Sequence, residues 1–270
     1  MLLKSIRRVA VVGAAVTALF DSSCAGAATL ADLGLSDSQV RAIDAQIYAP
    51  NAAPAMAFGS PIGYGAAYGQ AFGAVGGQTV PNVPGNGSLD GSASIGGGIG
   101  DSVNWVGLEA VVTAISVKDD FGEDGDASLK VHHVLPYRAS VAVGVENTGR
   151  WGHARDGTSE SYYAVGTKVF LLNEGAPWQP MSLAVNLGVG TNRFVAPNKD
   201  GVNVFGGVAF APIRQVALVA DYTGRDINLA LSAVPIARWP LSITMGAINL
   251  EKKYGRRVEF AGVVGYTFTY

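Results

Sequence analysis

The chain has 270 residues, 36 of them glycine and only one a cysteine, with a formal net charge of −2 and a mean hydropathy of +0.25. One cysteine excludes an intrachain disulfide framework and a cysteine-based metal site. The net charge says nothing about partners, and no basic stripe interleaved with aromatics suggests nucleic acid.

The N-terminus reads as an export signal. Lys4, Arg7 and Arg8 precede an apolar run from Val9 to Phe20, which is shorter than the roughly 20 residues of a membrane-spanning helix. Ala25-Gly26-Ala27 supplies a small-residue cleavage site, so residues 1–27 are expected to be a signal peptide and the mature chain to begin near Ala28. Cys24 then leaves with the signal. An acylated Cys24 is the competing reading, although Asp21 stands where such lipoprotein signals carry an aliphatic residue.

Residues 28–62 form a second region, expected in the periplasm or as a plug. Ser36-Asp37-Ser38-Gln39 fits a capping box, and Val40, Ile43 and Ile47 recur at helical spacing, which predicts a short amphipathic helix from Asp37 to Tyr48. Asn51 to Pro61, with Pro50 and Pro54, reads as a linker. A periplasmic spacer is the favoured reading, and a segment entering a lumen is the alternative.

From Ala66 onward the hydrophobic period is two, and residues 63–270 are expected to form the membrane-spanning region. Ser140, Ala142, Gly144 and Glu146 alternate with Val141, Val143 and Val145, while Ser182, Ala184, Asn186 and Gly188 alternate with Leu183, Val185, Leu187 and Val189. At the end of the chain Phe260, Gly262, Val264, Tyr266, Phe268 and Tyr270 oppose Glu259, Ala261, Val263, Gly265, Thr267 and Thr269. Marking such segments gives roughly twelve strands of about ten residues, the length of a tilted membrane strand. The expected spans are 66–75, 89–99, 103–117, 127–135, 138–147, 161–172, 181–191, 202–211, 215–223, 226–234, 240–250 and 258–270. Short connections such as Pro136-Tyr137 fall on one side, and most longer polar ones, such as Lys118 to Asp126, on the other. The fold class expected is all-β: a transmembrane antiparallel barrel with a short N-terminal helical extension, its apolar face toward lipid and its small, polar face toward the lumen. A soluble sandwich, with the apolar face as its core, is the alternative.

The ending Gly265-Tyr266-Thr267-Phe268-Thr269-Tyr270 resembles the C-terminal assembly signal of bacterial outer-membrane barrels. That resemblance implies Tyr266, Phe268 and Tyr270 as the signal, the barrel-assembly machinery as a partner during biogenesis, and the outer membrane as the location. Gly107-Leu108-Glu109, Ser128-Leu129-Lys130-Val131-His132, Val141 to Asn147 and Asp221 to Leu229 are similar to an uncharacterised family of glycine-rich, porin-like barrels of cyanobacteria and other diderms. The family implies a fold and a lipid environment and offers no catalytic residues to carry over.

The alternation predicts Glu109, Lys130, Glu146, Lys168, Asn186, Asp221, Asp226, Asn228 and Glu259 as lumen-lining, with His132 beside them. Such groups either set the selectivity of a solute path or pair across the lumen and seal it. Tyr163, Phe170, Phe210 and Tyr222 are candidate girdle aromatics. His153, Asp156 and Ser159 are the sole candidate hydrolytic set and read better as solvated loop. His132 and His133 point to opposite strand faces and make a poor chelate. The acidic stretch Asp119 to Asp126 lacks EF-hand spacing and reads as a solvated turn. No enzyme activity, cofactor or metal is expected. A passive conduit for small solutes is the first functional expectation, a closed structural or envelope-assembly barrel the second, and an outer-membrane hydrolase a distant third.

Overall fold

The computed structural model describes residues 53–79, 89–115, 121–152, 159–172, 181–255 and 257–270. The signal peptide, Cys24, the helix at Asp37 to Tyr48, and His153 with Asp156 lie outside the described residues.

Twelve antiparallel strands close into one barrel. They are β1 (Gln70–Thr79), β2 (Leu89–Gly100), β3 (Gly107–Ile115), β4 (Asp124–Leu135), β5 (Ala139–Trp151), β6 (Ser161–Leu171), β7 (Ser182–Thr191), β8 (Val202–Ile213), β9 (Val216–Tyr222), β10 (Ile227–Ala233), β11 (Leu241–Ile248) and β12 (Glu259–Thr269). Each strand pairs with its sequence neighbours, and β1 pairs with β12 from Gln70↔Thr269 to Gln78↔Ala261. Closure satisfies both edges of the sheet with backbone partners. Tyr270 extends the seam, its N–H donating to Gly69 O at 2.9 Å.

The expected strand order holds, with shifted ends. β1 starts at Gln70 rather than residue 66 and continues to Thr79, into the stretch read as a loop. β3 starts at Gly107 because Asp101 organises the turn before it, accepting the Val103 and Asn104 N–H groups at 3.0 Å. β5 runs on to Trp151 through register shifts opposite Gly125 and Ala127. Tyr137 and Arg138 both take positive φ in the tight β4–β5 turn.

The two faces of the sheet differ as the alternation implies. Val143, Leu187 and Leu229 are 55%, 65% and 51% exposed on the outside, so these apolar side chains are not packed between two sheets. Ser140, Ala142, Ala184, Asn186, Asn228 and Ser232 face inward and are buried. Two bands of exposed aromatics ring the exterior. Tyr68, Trp105, Tyr137, Phe170, Trp239, Phe268 and Tyr270 lie at the rim that holds Tyr270, and Phe121, Tyr162, Tyr222, Tyr254 and Phe260 lie at the opposite rim.

Candidate functional site: a lumen filled by the segment ahead of the first strand

The inward side chains are buried because the lumen is occupied by the chain itself. Ala55, Ala57, Phe58, Ser60, Ile62, Tyr64 and Ala66 are all within a few per cent of complete burial. All of these except Ser60 form one core cluster with wall residues such as Phe72, Val111, Val169, Val219 and Val263. The stretch read as a linker is therefore, from Ala55 onward, lumen filler. Its composition suits the place: alanine, glycine, serine and proline keep it thin, and Phe58, Ile62 and Tyr64 supply the apolar contact.

This plug has no regular strand or helix, so its buried N–H and C=O groups need partners from elsewhere. The wall supplies them. Ala55 N donates to Ser232 Oγ at 2.8 Å, and Asn186 Nδ2 donates to Met56 O at 2.8 Å. Asp221 Oδ2 accepts Phe58 N at 2.9 Å, and both Ser60 N and Ser60 Oγ at 3.0 Å. Arg193 Nη1 reaches Gly59 O at 2.9 Å.

The returning half is held on the other side of the barrel. Gly63 N donates to Thr167 Oγ1 at 2.8 Å, and Ser140 Oγ donates to Gly63 O. Lys130 Nζ donates to Tyr64 O at 3.1 Å, and Ala66 N donates to Glu109 Oε2 at 2.6 Å. His132 Nε2 lies 2.9 Å from Ala66 O; a carbonyl only accepts, so this nitrogen carries the proton. The path rises from Ser232, near the Tyr270 rim, to Asp221 beside the opposite rim, and returns to Glu109 and His132.

Two glycines let plug and wall approach this closely. A Cβ on Gly98 would sit 2.1 Å from Ala66 O, and one on Gly63 would sit 2.4 Å from Ser140 O.

The buried charges that touch the plug or its supports are matched in place. Lys130 Nζ lies 3.2 Å from Glu109 Oε1, and Arg193 forks onto both oxygens of Glu146, with Nη2 to Oε1 at 2.8 Å. Asp221 is held by donors instead: besides the three plug groups, Asn228 Nδ2 donates to Oδ1 at 3.0 Å. A carboxylate with several N–H and O–H donors replaces much of its lost hydration.

Glu109, Lys130, Glu146, Asn186, Asp221 and Asn228 thus lie together in the lumen against the plug or its immediate supports. Asp226 is buried at the turn before β10, and Glu259 at the first residue of β12, so both belong to the rim opposite Tyr270. Lys168 is a correction. β6 places Tyr163, Val165, Thr167 and Val169 inward, so Lys168 lies on the outer face with Tyr162, Ala164, Gly166 and Phe170. Tyr163 is corrected with it: this ring is buried against Phe194 and Phe205 at centroid distances of 6.2 and 6.5 Å.

Arg193, Phe194 and Asp126 were not singled out by the sequence reading. Arg193 and Phe194 sit in a single 3₁₀ turn, Asn192–Phe194, which folds the loop after β7 inward. Asp126 belongs to the stretch read as a solvated turn, yet it is an inward residue of β4 opposite Thr113. The signal for it was parity, because it lies an even number of residues from Lys130. Ser159 is described and exposed. Among the described residues no group of three or more His, Cys, Asp or Glu side chains is placed to hold a metal ion.

Comparison with family models found no match, and none of the curated proteins compared matches the chain. The fold and the lumen define its class: a closed twelve-stranded antiparallel β-barrel whose interior is filled by the segment preceding its first strand.

Proposed function

We propose that this chain is a bacterial outer-membrane barrel held shut at rest by residues 55–66, acting in the envelope as a closed barrel rather than as an open porin. The observation that carries the reading is the pairing of the two faces: an apolar exterior between two aromatic bands, and an interior where wall groups such as Asp221, Glu109 and Lys130 hold the backbone of the plug. A sheet can cross hydrocarbon only when its backbone is fully paired, which closure provides. Aromatic rings favour the headgroup boundaries, and aliphatic side chains the layer between them. The wall–plug hydrogen bonds contribute about 0.5–1.5 kcal/mol each, and with the burial of Phe58, Ile62 and Tyr64 they favour closure well beyond thermal energy.

The conduit expected from the sequence survives as a second reading, in a gated form. A lumen filled permanently could be lined by apolar side chains alone. This one carries Glu109, Lys130, Glu146, Arg193 and Asp221, which water could serve if the plug withdrew. Membership of the glycine-rich diderm family, the export signal at residues 1–27 and recognition of Tyr266, Phe268 and Tyr270 by assembly machinery belong to the same reading. In support of the last, those three rings form an exposed column on β12 and its end.

The test is membrane fractionation combined with gel mobility before and after boiling. The proposal expects the protein in the outer-membrane fraction, with a folded form that migrates differently from the boiled one. Recovery in the soluble fraction, with one mobility, would contradict it.

A further inference from the structure

On the outer surface, β6 forms the floor of a groove. Its outward residues Ala164 and Gly166 are small. In the register rows they are flanked by Val143 and Val141 on β5, and by Val189 and Leu187 on β7. The result is an apolar concavity of about 610 Å³ on the outer face of the sheet. Nothing lies within 4 Å of the position a Cβ on Gly166 would occupy. His133 lines the same concavity, and its Nδ1 is buried without a hydrogen-bond partner among the described residues.

A charge stands at the foot of the groove. Lys168 is the next outward residue of β6, about 7 Å along the strand from Gly166. The side chain turns toward the Tyr270 rim, where its ammonium donates to Tyr137 O and lies 5.8 Å from the ring centroids of both Tyr137 and Phe170. These described partners are neutral. Among the described outward positions of β6 to β12 Lys168 is the one charged side chain, the others being aliphatic, aromatic, methionine, glycine or, at the end of β7, Thr191. A lysine on an apolar exterior reaches along its own stem to the interface, and there a cation framed by aromatic rings meets phosphate headgroups.

We infer that the β6 groove and Lys168 form a binding site for one anionic glycerophospholipid of the leaflet at the Tyr270 rim. One acyl chain lies over Ala164 and Gly166, and the phosphate lies on the Lys168 ammonium. The groove supplies shape for a chain, and Lys168 supplies the complementary charge at the depth where the headgroup begins. This site rests on the outer-membrane reading and is independent of whether the lumen opens.

The experiment is native mass spectrometry of the folded barrel released from nanodiscs of phosphatidylglycerol or of phosphatidylcholine, with boiled and unboiled gel mobility recorded for every sample. The expected result is one retained phosphatidylglycerol per barrel, with retention reduced about tenfold in Lys168→Gln, which removes the charge, and in Gly166→Leu, which fills the groove. Phosphatidylcholine should be retained much less. A heat-modifiable barrel that retains no lipid, retains both lipids equally, or is unaffected by both substitutions overturns the site while leaving the membrane reading intact. A chain that does not enter nanodiscs at all removes both.

Discussion

Glu109 and Lys130 face each other from adjacent strands at 3.2 Å, each 2% exposed, and each also holds one backbone group of the plug. The pair therefore couples the wall to the segment inside it. Removing one member leaves a buried charge without its counter-ion, at a cost of about 3–5 kcal/mol. Lys130→Met should lower the unfolding midpoint of the barrel by a corresponding amount. The double variant Glu109→Gln with Lys130→Met should cost less than the sum of its parts. Additivity within error, read from denaturant unfolding in detergent, would show that the two do not act together.

Asp221 gathers Phe58 N, Ser60 N and Ser60 Oγ on one oxygen, so it fixes the top of the plug. Asp221→Ala should loosen that bend without opening the wall. With Cys24 replaced by serine, a Ser60→Cys thiol should react slowly with a water-soluble maleimide when Asp221 is present. It should react at least tenfold faster when Asp221 is alanine. Equal rates would remove Asp221 from that role.

Arg193 joins Glu146 to Gly59 O through different nitrogens of one planar group. A lysine keeps the charge and loses the fork. Arg193→Lys should therefore fail to restore the protease resistance lost in Arg193→Met, whereas a purely electrostatic role would be rescued.

Gly98 lies where wall and plug approach closely, because a Cβ there would meet Ala66 O at 2.1 Å. Gly98→Val should cost about 1–3 kcal/mol through overpacking or displace the plug from that wall. The neighbouring outward change Gly97→Ser serves as the control. Unfolding midpoints of the two variants should differ, and matching midpoints would count against the packed interior.

The barrel was legible in the sequence because a period of two, repeated around a closed sheet, sorts side chains onto two faces. β5, β7 and β10 show this cleanly, with serine, alanine, glycine, asparagine and glutamate opposite valine and leucine. β6 was misread because both of its faces mix apolar and polar residues. Val165 and Val169 face inward toward an aromatic and aliphatic interior that exists only because the plug and the Asn192–Phe194 turn are there. The plug itself has no period, so pattern reading treated its prolines as a linker. Phe58, Ile62 and Tyr64 were the available signal, since a solvated spacer has no use for three large apolar side chains within seven residues. Arg193 was hidden in a loop, because only the folded turn brings it to Glu146.

Closure of the lumen by residues 55–66 is tested most directly by single-channel recording in planar bilayers. Heat-modifiable full-length protein should insert without a steady conductance, and a variant lacking residues 55–66 should conduct. A steady, ohmic current from the full-length barrel, unchanged when those residues are removed, would contradict it.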